Sequence, residues 1–161
     1  TIPEAYMGKT GAAVKSLQNP EKKMSKSDEN PNASIYLMDD PDTIRRKFKR
    51  AVTDSDAEVR FDPETKPGIS NLIGIYSAVM EKSIKDVEAE FAGCGYGDFK
   101  MAVGDAVANL LGPLQQRYEE IRKDKEYLDK VIRANDEKAY YCSNKTLRKV
   151  KKKIGLTEGI R

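Results

Sequence analysis

A short lysine- and serine-rich segment is the part of this sequence best suited to chemistry. Three lysines and two serines lie within residues 22–27, and the prolines Pro20 and Pro31 stand on either side. The segment has neither helical nor strand periodicity, so we predict an exposed loop. Ammonium groups, hydroxyls and backbone N–H groups at this density are the donors that bind a polyphosphate. We call residues 22–27 the lysine–serine loop.

The composition excludes several other kinds of site. The chain of 161 residues contains no histidine, which rules out histidine general acid–base catalysis and histidine metal ligands within it. Its two cysteines, Cys94 and Cys142, are too few for a four-ligand zinc or iron–sulfur centre, so we expect reduced thiols and no metal site. The net charge is only +3, so a nucleic-acid surface has to come from local clusters of basic residues.

The sequence also gives expectations for where the protein is located and for whether the chain is part of a longer protein. The sequence has no secretory leader and no apolar run long enough to span a membrane, so we expect a cytoplasmic protein. It begins Thr1-Ile2-Pro3 without an initiator methionine, and its first recognisable feature is a loop of the kind that closes an α/β site. We therefore expect a fragment of a longer protein.

Helical periodicity begins shortly after the lysine–serine loop. A helix is predicted from about residue 40 to about residue 52, with Asp39 or Asp40 as its cap and Pro41 in its first turn. Its apolar face is formed by Ile44, Phe48, Ala51 and Val52. Five basic residues cover the remaining surface of this helix. They indicate either a solvated face or a surface that faces phosphate or RNA: Arg45, Arg46, Lys47, Lys49 and Arg50.

The rest of the chain predicts further helices. A short strand at residues 59–61 and a helix from residue 69 come first, and Ser83 with Asp86 forms a capping box for a short helix. Asp98 is predicted to cap a long helix, kinked at Gly112-Pro113. Asp124 then caps a shorter helix, and a last one runs over residues 137–154 until Gly155. The last helix is expected to turn four residues inward: Cys142, Leu147, Val150 and Ile154.

The predicted architecture is mainly α. It is a bundle of five or six helices preceded by the lysine–serine loop and a short α/β remnant.

Several blocks of the sequence resemble a known family. Residues 23–27 carry the Lys-Met-Ser-Lys-Ser motif of class I aminoacyl-tRNA synthetases, followed by Asp28 and Asn30. The blocks downstream resemble, in order and spacing, the C-terminal half of bacterial-type tryptophanyl-tRNA synthetases. The resemblance runs from about Pro3 to about Gly155, and its downstream blocks are residues 39–41, 43–44, 51–55, 66–72, 75–76, 95–97 and 99–100.

The resemblance implies a fold and an activity. Residues 1–34 would be the C-terminal edge of a Rossmann-like catalytic domain bearing the loop, and residues 35–161 a helical domain that binds tRNA and its anticodon. Full enzymes of this family activate tryptophan with ATP and Mg²⁺, transfer it to tRNA(Trp), and form homodimers mostly through their N-terminal half. That half carries a His-Ile-Gly-His type motif, which a chain without histidine lacks. We therefore expect this chain alone to be inactive.

The resemblance also assigns roles to particular residues. Attack of a carboxylate on the α-phosphate of ATP builds negative charge, which mobile lysines can stabilise. By resemblance, two lysines contact the triphosphate, two serines donate hydrogen bonds, a methionine lies near adenine, and the backbone of a valine touches adenine. These residues are Lys23 and Lys26, Ser25 and Ser27, Met24, and Val14.

The residues that bind tRNA are less sharply indicated. Single-stranded bases are read by stacking on aromatic or guanidinium planes, with basic residues on the backbone. The candidates are Arg117, Tyr118, Arg122, Tyr140, Tyr141, Lys145 and Arg148, although tyrosines at helical spacing also suit a core. Two alternatives stay open, namely a helical RNA- or protein-binding module and the same region of a tyrosyl enzyme.

Overall fold

The computed structural model describes residues 2–6 and 13–156. Five helices follow one another: α1 (Pro41–Lys49), α2 (Pro67–Met80), α3 (Ile84–Glu90), α4 (Tyr96–Lys123) and α5 (Lys125–Lys153). Two compact units, Thr1–Gln115 and Gln116–Arg161, divide the chain, and their boundary falls inside α4. The predicted mainly helical fold is confirmed. None of the described helices is both long enough and apolar enough to cross a bilayer.

Helix starts follow the capping signals in the sequence. The Asp40 carboxylate accepts the Thr43 N–H at 2.9 Å, and Asp124 accepts the Tyr127 N–H at the same distance. Ser83 and Asp86 form the predicted reciprocal capping box at α3. These side chains satisfy N–H groups that have no partner inside the first helical turn, and the predicted caps of α1, α3 and α5 are therefore confirmed.

The core of the first unit joins α1, α2, α3 and α4. The side chains of Ile44 and Phe48 on α1 are buried, as are Leu72 and Ile73 on α2 and Val103, Val107 and Leu111 on α4. Three aromatic rings pack edge to face beside them, with centroids 4.8–6.0 Å apart: Tyr76, Phe91 and Phe99. Such ring pairs add about 0.5–1.5 kcal/mol each beyond their buried area, so this cluster fixes α2 and the end of α3 on α4.

Polar contacts fix α1 and the segment after it to α4. The Arg45 guanidinium Nε donates to Asp105 Oδ1 at 2.6 Å. The ammonium group of Lys100 donates to the Ala51 carbonyl at 2.8 Å and to Thr53 Oγ1 at 2.9 Å. Part of the basic surface predicted for α1 is therefore used inside the fold, and neither sequence-based interpretation of that surface anticipated this.

Three predictions of local structure were wrong. No strand forms at residues 59–61 in the part of the chain that the structure describes, because the Phe61 N–H is bonded at 2.7 Å to Glu88 Oε1 instead of to a neighbouring strand. Helix α1 ends at Lys49 and Val52 is exposed, because the Val52 N–H pairs with the Leu17 carbonyl at 2.8 Å. Helix α4 starts at Tyr96, so Asp98 lies in its first turn and is not its cap.

Helix α5 corrects the prediction of two C-terminal helices. It is continuous from Lys125 to Lys153 and ends before Gly155, whose φ of +72° suits the residue after a helix. Asn135 and Asp136 are only weak helix formers, and α5 contains no glycine or proline that would end it. The inward orientation expected for Cys142, Leu147, Val150 and Ile154 was also wrong, since within the described residues α5 buries none of its side chains.

A glycine on α2 sets how closely this helix approaches the segment that follows α1. A Cβ added at Gly68 would lie 2.3 Å from the Val52 carbonyl oxygen, whereas one added at Gly74 would meet no atom within 4 Å. We expect Gly68→Ala to lower the free energy of unfolding by about 1–3 kcal/mol, because a backbone atom would have to move. Gly74→Ala should raise it by about 0.5–1 kcal/mol, because alanine favours a helix interior. Urea denaturation of both variants measures the difference, and equal stabilities would contradict this packing.

Candidate functional site

The lysine–serine loop is held against an extended segment, Val14 to Leu17. The Ser16 N–H donates to the Lys22 carbonyl at 2.9 Å, and the Met24 N–H donates to the Val14 carbonyl at 3.0 Å. These bonds flank the antiparallel bridge between Lys15 and Lys23. The structure thereby brings Val14 next to the start of the predicted motif.

The side chain of Asn71, on α2, fixes the other edge of this segment. Its Oδ1 accepts the Lys15 N–H at 2.9 Å, and its Nδ2 donates to the Lys15 carbonyl at 3.0 Å. A primary amide carries an acceptor oxygen and N–H donors, so one side chain can satisfy both backbone groups of Lys15. Asn71 therefore makes the two hydrogen bonds to Lys15 that a residue of a neighbouring strand would make.

The turn of the loop is formed by its two serines. The Ser25 and Ser27 hydroxyl oxygens lie 3.0 Å apart, and the Ser27 N–H donates to Ser25 Oγ at 3.3 Å. The Asp28 N–H donates to the Ser25 carbonyl, also at 3.3 Å. Both serines are exposed, so their hydroxyls bond to each other at the surface and not to the core.

The two lysines of the motif present their charge to solvent. Lys23 and Lys26 are both exposed, and within residues 2–6 and 13–156 no hydrogen bond or ion pair holds either side chain. Met24, which directly follows Lys23, packs instead against the core. The loop thus places two ammonium groups at the surface while Met24 anchors it.

An open cleft of about 510 Å³ lies on the side of the extended segment that faces α2. Its lining is mainly apolar and includes Val14, Phe61, Pro67, Ile75 and Ile84. Lys15 and Asn71 contribute to its polar edge, but Lys23 and Lys26 are not among its lining residues. The cleft therefore offers a surface for a flat apolar group beside Val14, and it is separate from the charges of the loop.

The turn that borders this cleft is held by buried and partly buried polar groups. Hydrogen bonds from the Thr65 hydroxyl and N–H to the Asp62 carboxylate lower its pKa to about 2. Burial of the Tyr96 phenol, and its 2.7 Å hydrogen bond to Asp54, raise its pKa to about 12. Burial works against the charge of Lys66, but hydrogen bonds to Asp56 and Tyr96 raise its pKa overall. These groups keep fixed charge states at neutral pH.

The candidate RNA-binding residues lie in the second unit and are exposed. On the end of α4, the Arg117 and Arg122 guanidinium groups pair with Glu120 and Glu119 at 3.1 and 3.7 Å. The Arg122 guanidinium carbon lies 5.9 Å from the Tyr118 ring centroid. The other candidates, on α5, are Tyr140, Tyr141, Lys145 and Arg148. The tyrosines are therefore not core residues, and their rings are open to solvent.

Sequence analysis missed the residues that hold the loop from outside it. Asn71 lies within one of the family-like blocks, but nothing in its local pattern shows that it bonds to Lys15. Ser34 and Tyr36 donate to loop carbonyls, and nothing in their local pattern indicates these bonds. Their only signal in the sequence was their position shortly after the motif.

Comparison with protein families gives one match over most of the chain. The family model described as tRNA synthetases class I (W and Y) matches residues 2–112. Among curated proteins, the tryptophan--tRNA ligase of Oceanobacillus iheyensis is 47% identical over 97% of this chain, and that of Bacillus subtilis is 46% identical over 97%. The chain spans about half the length of these relatives, 47% in both cases.

Solved structures show the same similarity. Tryptophanyl-tRNA synthetase from Mycoplasma pneumoniae has a TM-score of 0.79 and 31% identity, covering 93% of this chain and 45% of that one. The Campylobacter jejuni enzyme, solved in complex with ADP and tryptophan, has a TM-score of 0.70 and 26% identity, covering 97% and 47%.

Asn71 provides a test of how the extended segment is held. We expect Asn71→Ala to lower the free energy of unfolding by about 1–3 kcal/mol, because it leaves the partly buried N–H and carbonyl of Lys15 without their partner. Urea denaturation measures the change, and Asn135→Ala, at an exposed position on α5, is the control. If both variants were equally stable, the bonds from Asn71 would not hold this segment.

Proposed function

This chain belongs to the family of class I tRNA synthetases (W and Y). From this premise, we propose that it supplies the triphosphate-binding loop of an enzyme that activates tryptophan. The complete enzyme would join tryptophan to ATP as an adenylate, release pyrophosphate and transfer tryptophan to tRNA(Trp). Tryptophan is chosen as the substrate because the relatives that match nearly all of this chain are named tryptophan--tRNA ligase. Because the chain spans about half of those relatives, it contributes one side of the active site.

One observation carries the assignment of the loop. Lys23 and Lys26 are exposed and unpaired among the described residues, on a loop whose backbone is bonded to its surroundings. A lysine that served only to stabilise the fold would lie against a carboxylate or a carbonyl, as Lys66 and Lys100 do. Two unpaired ammonium groups can instead bind the charge that develops on the α-phosphate and on departing pyrophosphate.

The remaining contacts with ATP follow from the same geometry. Val14 lines the apolar cleft, and its carbonyl accepts the Met24 N–H, which supports a role for both residues near adenine. Ser25 and Ser27 can exchange their mutual hydrogen bond for phosphate oxygens. The described residues contain no group of three or more His, Cys, Asp or Glu side chains that could hold a metal ion. We propose that Mg²⁺ would enter the site together with ATP.

The helical part of the chain would bind tRNA(Trp). We assign residues 1–34 to the edge of the catalytic domain and residues 35–161 to the tRNA-binding domain. Exposed tyrosines beside arginines and lysines on α4 and α5 are suited to stacking with bases and to contacts with phosphates. By the same family inference, the complete enzyme would act in the cytoplasm as a homodimer, with its subunit contacts mostly outside this chain.

The catalytic role of the loop can be tested in a fusion enzyme. In it, this chain follows the N-terminal half of the Bacillus subtilis relative and replaces the half it matches. We expect Lys23→Ala or Lys26→Ala to slow formation of tryptophanyl-adenylate by roughly 100-fold or more, because each removes a charge that stabilises the transition state. The measurement is ATP–pyrophosphate exchange, together with the Kd for tryptophan.

Lys85→Ala is the control, because Lys85 is also an exposed lysine and lies on α3, outside the lysine–serine loop. Its effect on the rate should be small, and none of the three variants should change the Kd for tryptophan by more than about twofold. An equal loss of tryptophan affinity would contradict the assigned role. A folded fusion that forms no adenylate at all would contradict the proposed function.

Binding of tRNA by the chain alone gives a second test. We expect weak binding of tRNA(Trp), with a Kd that rises about 10- to 100-fold between about 50 and 200 mM salt, because phosphate contacts release counterions. The double variant Lys149→Glu with Lys152→Glu should weaken binding further, since it reverses two charges on α5. Lys85→Glu, on the exposed surface of α3, is the control. Salt-independent binding would show that these basic residues do not contact RNA.

A further inference from the structure

A buried lysine on α1 lies close to the lysine–serine loop without being part of it. Lys47 is only 5% exposed, although its neighbours Arg46 and Lys49 point to solvent. Burying an ammonium group is costly unless it is paired and hydrogen-bonded, so its partners indicate why it is there.

All the partners of Lys47 lie in the segment that connects the loop to α1. Its Nζ donates to Asp39 Oδ2 at 2.6 Å and to the Ser34 carbonyl at 2.9 Å. It also lies 4.6 Å from the centroid of the Tyr36 ring, within cation–π distance. The Lys47 ammonium group therefore contacts three residues of the segment 34–39, namely Ser34, Tyr36 and Asp39. We call residues 34–39 the connecting segment.

The connecting segment in turn binds the loop. The Ser34 hydroxyl donates to the Ser25 carbonyl at 2.7 Å, and the Tyr36 hydroxyl donates to the Lys26 carbonyl at 3.3 Å. These two carbonyls belong to the peptide groups on either side of the Lys26 Cα. Fixing both groups sets the direction in which the Lys26 side chain leaves the backbone, and leaves that side chain itself exposed.

We propose that Lys47 is a positioning residue for the triphosphate-binding loop, acting through Ser34 and Tyr36 on the backbone around Lys26. This inference rests on the function proposed above for the loop. An ammonium group displaced by about 1 Å from a developing charge can lose about 100-fold in rate. Lys47 has no access to the nucleotide itself, because its Nζ is surrounded by Asp39, Ser34 and Tyr36.

The other lysines near the core do not share this arrangement. Lys66 bonds to Asp56, Tyr96 and the Glu58 carbonyl, and Lys100 bonds to Ala51 and Thr53. Both hold the segment between α1 and α2, which makes no hydrogen bond to the loop within the described part of the chain. Of Lys47, Lys66 and Lys100, Lys47 is therefore the one whose side-chain contacts lead to the loop.

The test compares variants of the fusion enzyme by their rate of adenylate formation at saturating ATP and tryptophan. Lys47→Met fills the same space without a charge, and we expect it to slow this rate by roughly 10- to 100-fold. The KM for tryptophan should stay within about twofold, because the loop does not bind tryptophan. Lys49→Met is the matched control on the exposed face of α1, and should leave the rate unchanged.

Tyr36→Phe gives a second variant that does not depend on how well Lys47→Met folds. It removes one hydroxyl at a 39% exposed side chain and keeps the ring that faces Lys47. We expect about a 3- to 10-fold slower rate, as for one lost hydrogen bond. The double variant, Lys47→Met with Tyr36→Phe, should be no slower than Lys47→Met alone, because both changes release the backbone around Lys26.

The outcomes separate this inference from the proposed function. If Lys26→Ala slows adenylate formation but Lys47→Met and Tyr36→Phe do not, Lys47 has no positioning role. The inference is also overturned if the losses from Lys47→Met and Tyr36→Phe multiply in the double variant, since the two residues would then act independently. If Lys26→Ala itself has no effect, the function proposed for the loop fails, and with it the inference.

Discussion

The backbone of residues 14–17 is shared among several parts of the chain, and the position of the loop depends on it. One edge pairs with the lysine–serine loop, and Asn71 bonds to Lys15. The Leu17 N–H donates to the Ala33 carbonyl at 2.9 Å, and its carbonyl accepts the Val52 N–H at 2.8 Å. A buried backbone group that loses its partner costs roughly 1–3 kcal/mol, so a shift of this segment would break bonds to α2, to the loop and to the end of α1 together.

Five lysines of the first unit fall into two groups by environment. Lys47 and Lys66 are buried, and Lys100 half-buried, each bonded to oxygen atoms that fix a particular segment. Lys23 and Lys26 are exposed on the loop and have no such partner among the described residues. A lysine side chain thus holds a segment in place where it is buried, and keeps an unpaired ammonium group where it is exposed on the loop. Composition and net charge cannot distinguish these two uses.

The sequence predicted those features that depend on neighbouring residues. The caps at Asp40, Ser83 and Asp124 were predicted because each bonds to an N–H three residues later. The strand at residues 59–61 was wrong because its pattern gave no sign of Glu88, 27 residues away, which takes the Phe61 N–H. The motif itself was apparent, whereas Lys47 looked like one of five basic residues on a helix surface. Its burial arises from tertiary packing, which a single sequence does not contain.

The role proposed for this loop, which is to bind a moving phosphate, places two opposing requirements on it. Its charges must be placed accurately, but they must also follow the phosphate as its bonds change. Different atoms of this loop meet the two requirements, because the Ser25 and Lys26 carbonyls are bonded to the connecting segment while the Lys26 ammonium group extends into solvent. If the loop's own serine hydroxyls held these carbonyls, they would not be free for the proposed contacts with phosphate. This explains why the hydroxyls that hold the Ser25 and Lys26 carbonyls belong to residues outside the loop, in the connecting segment.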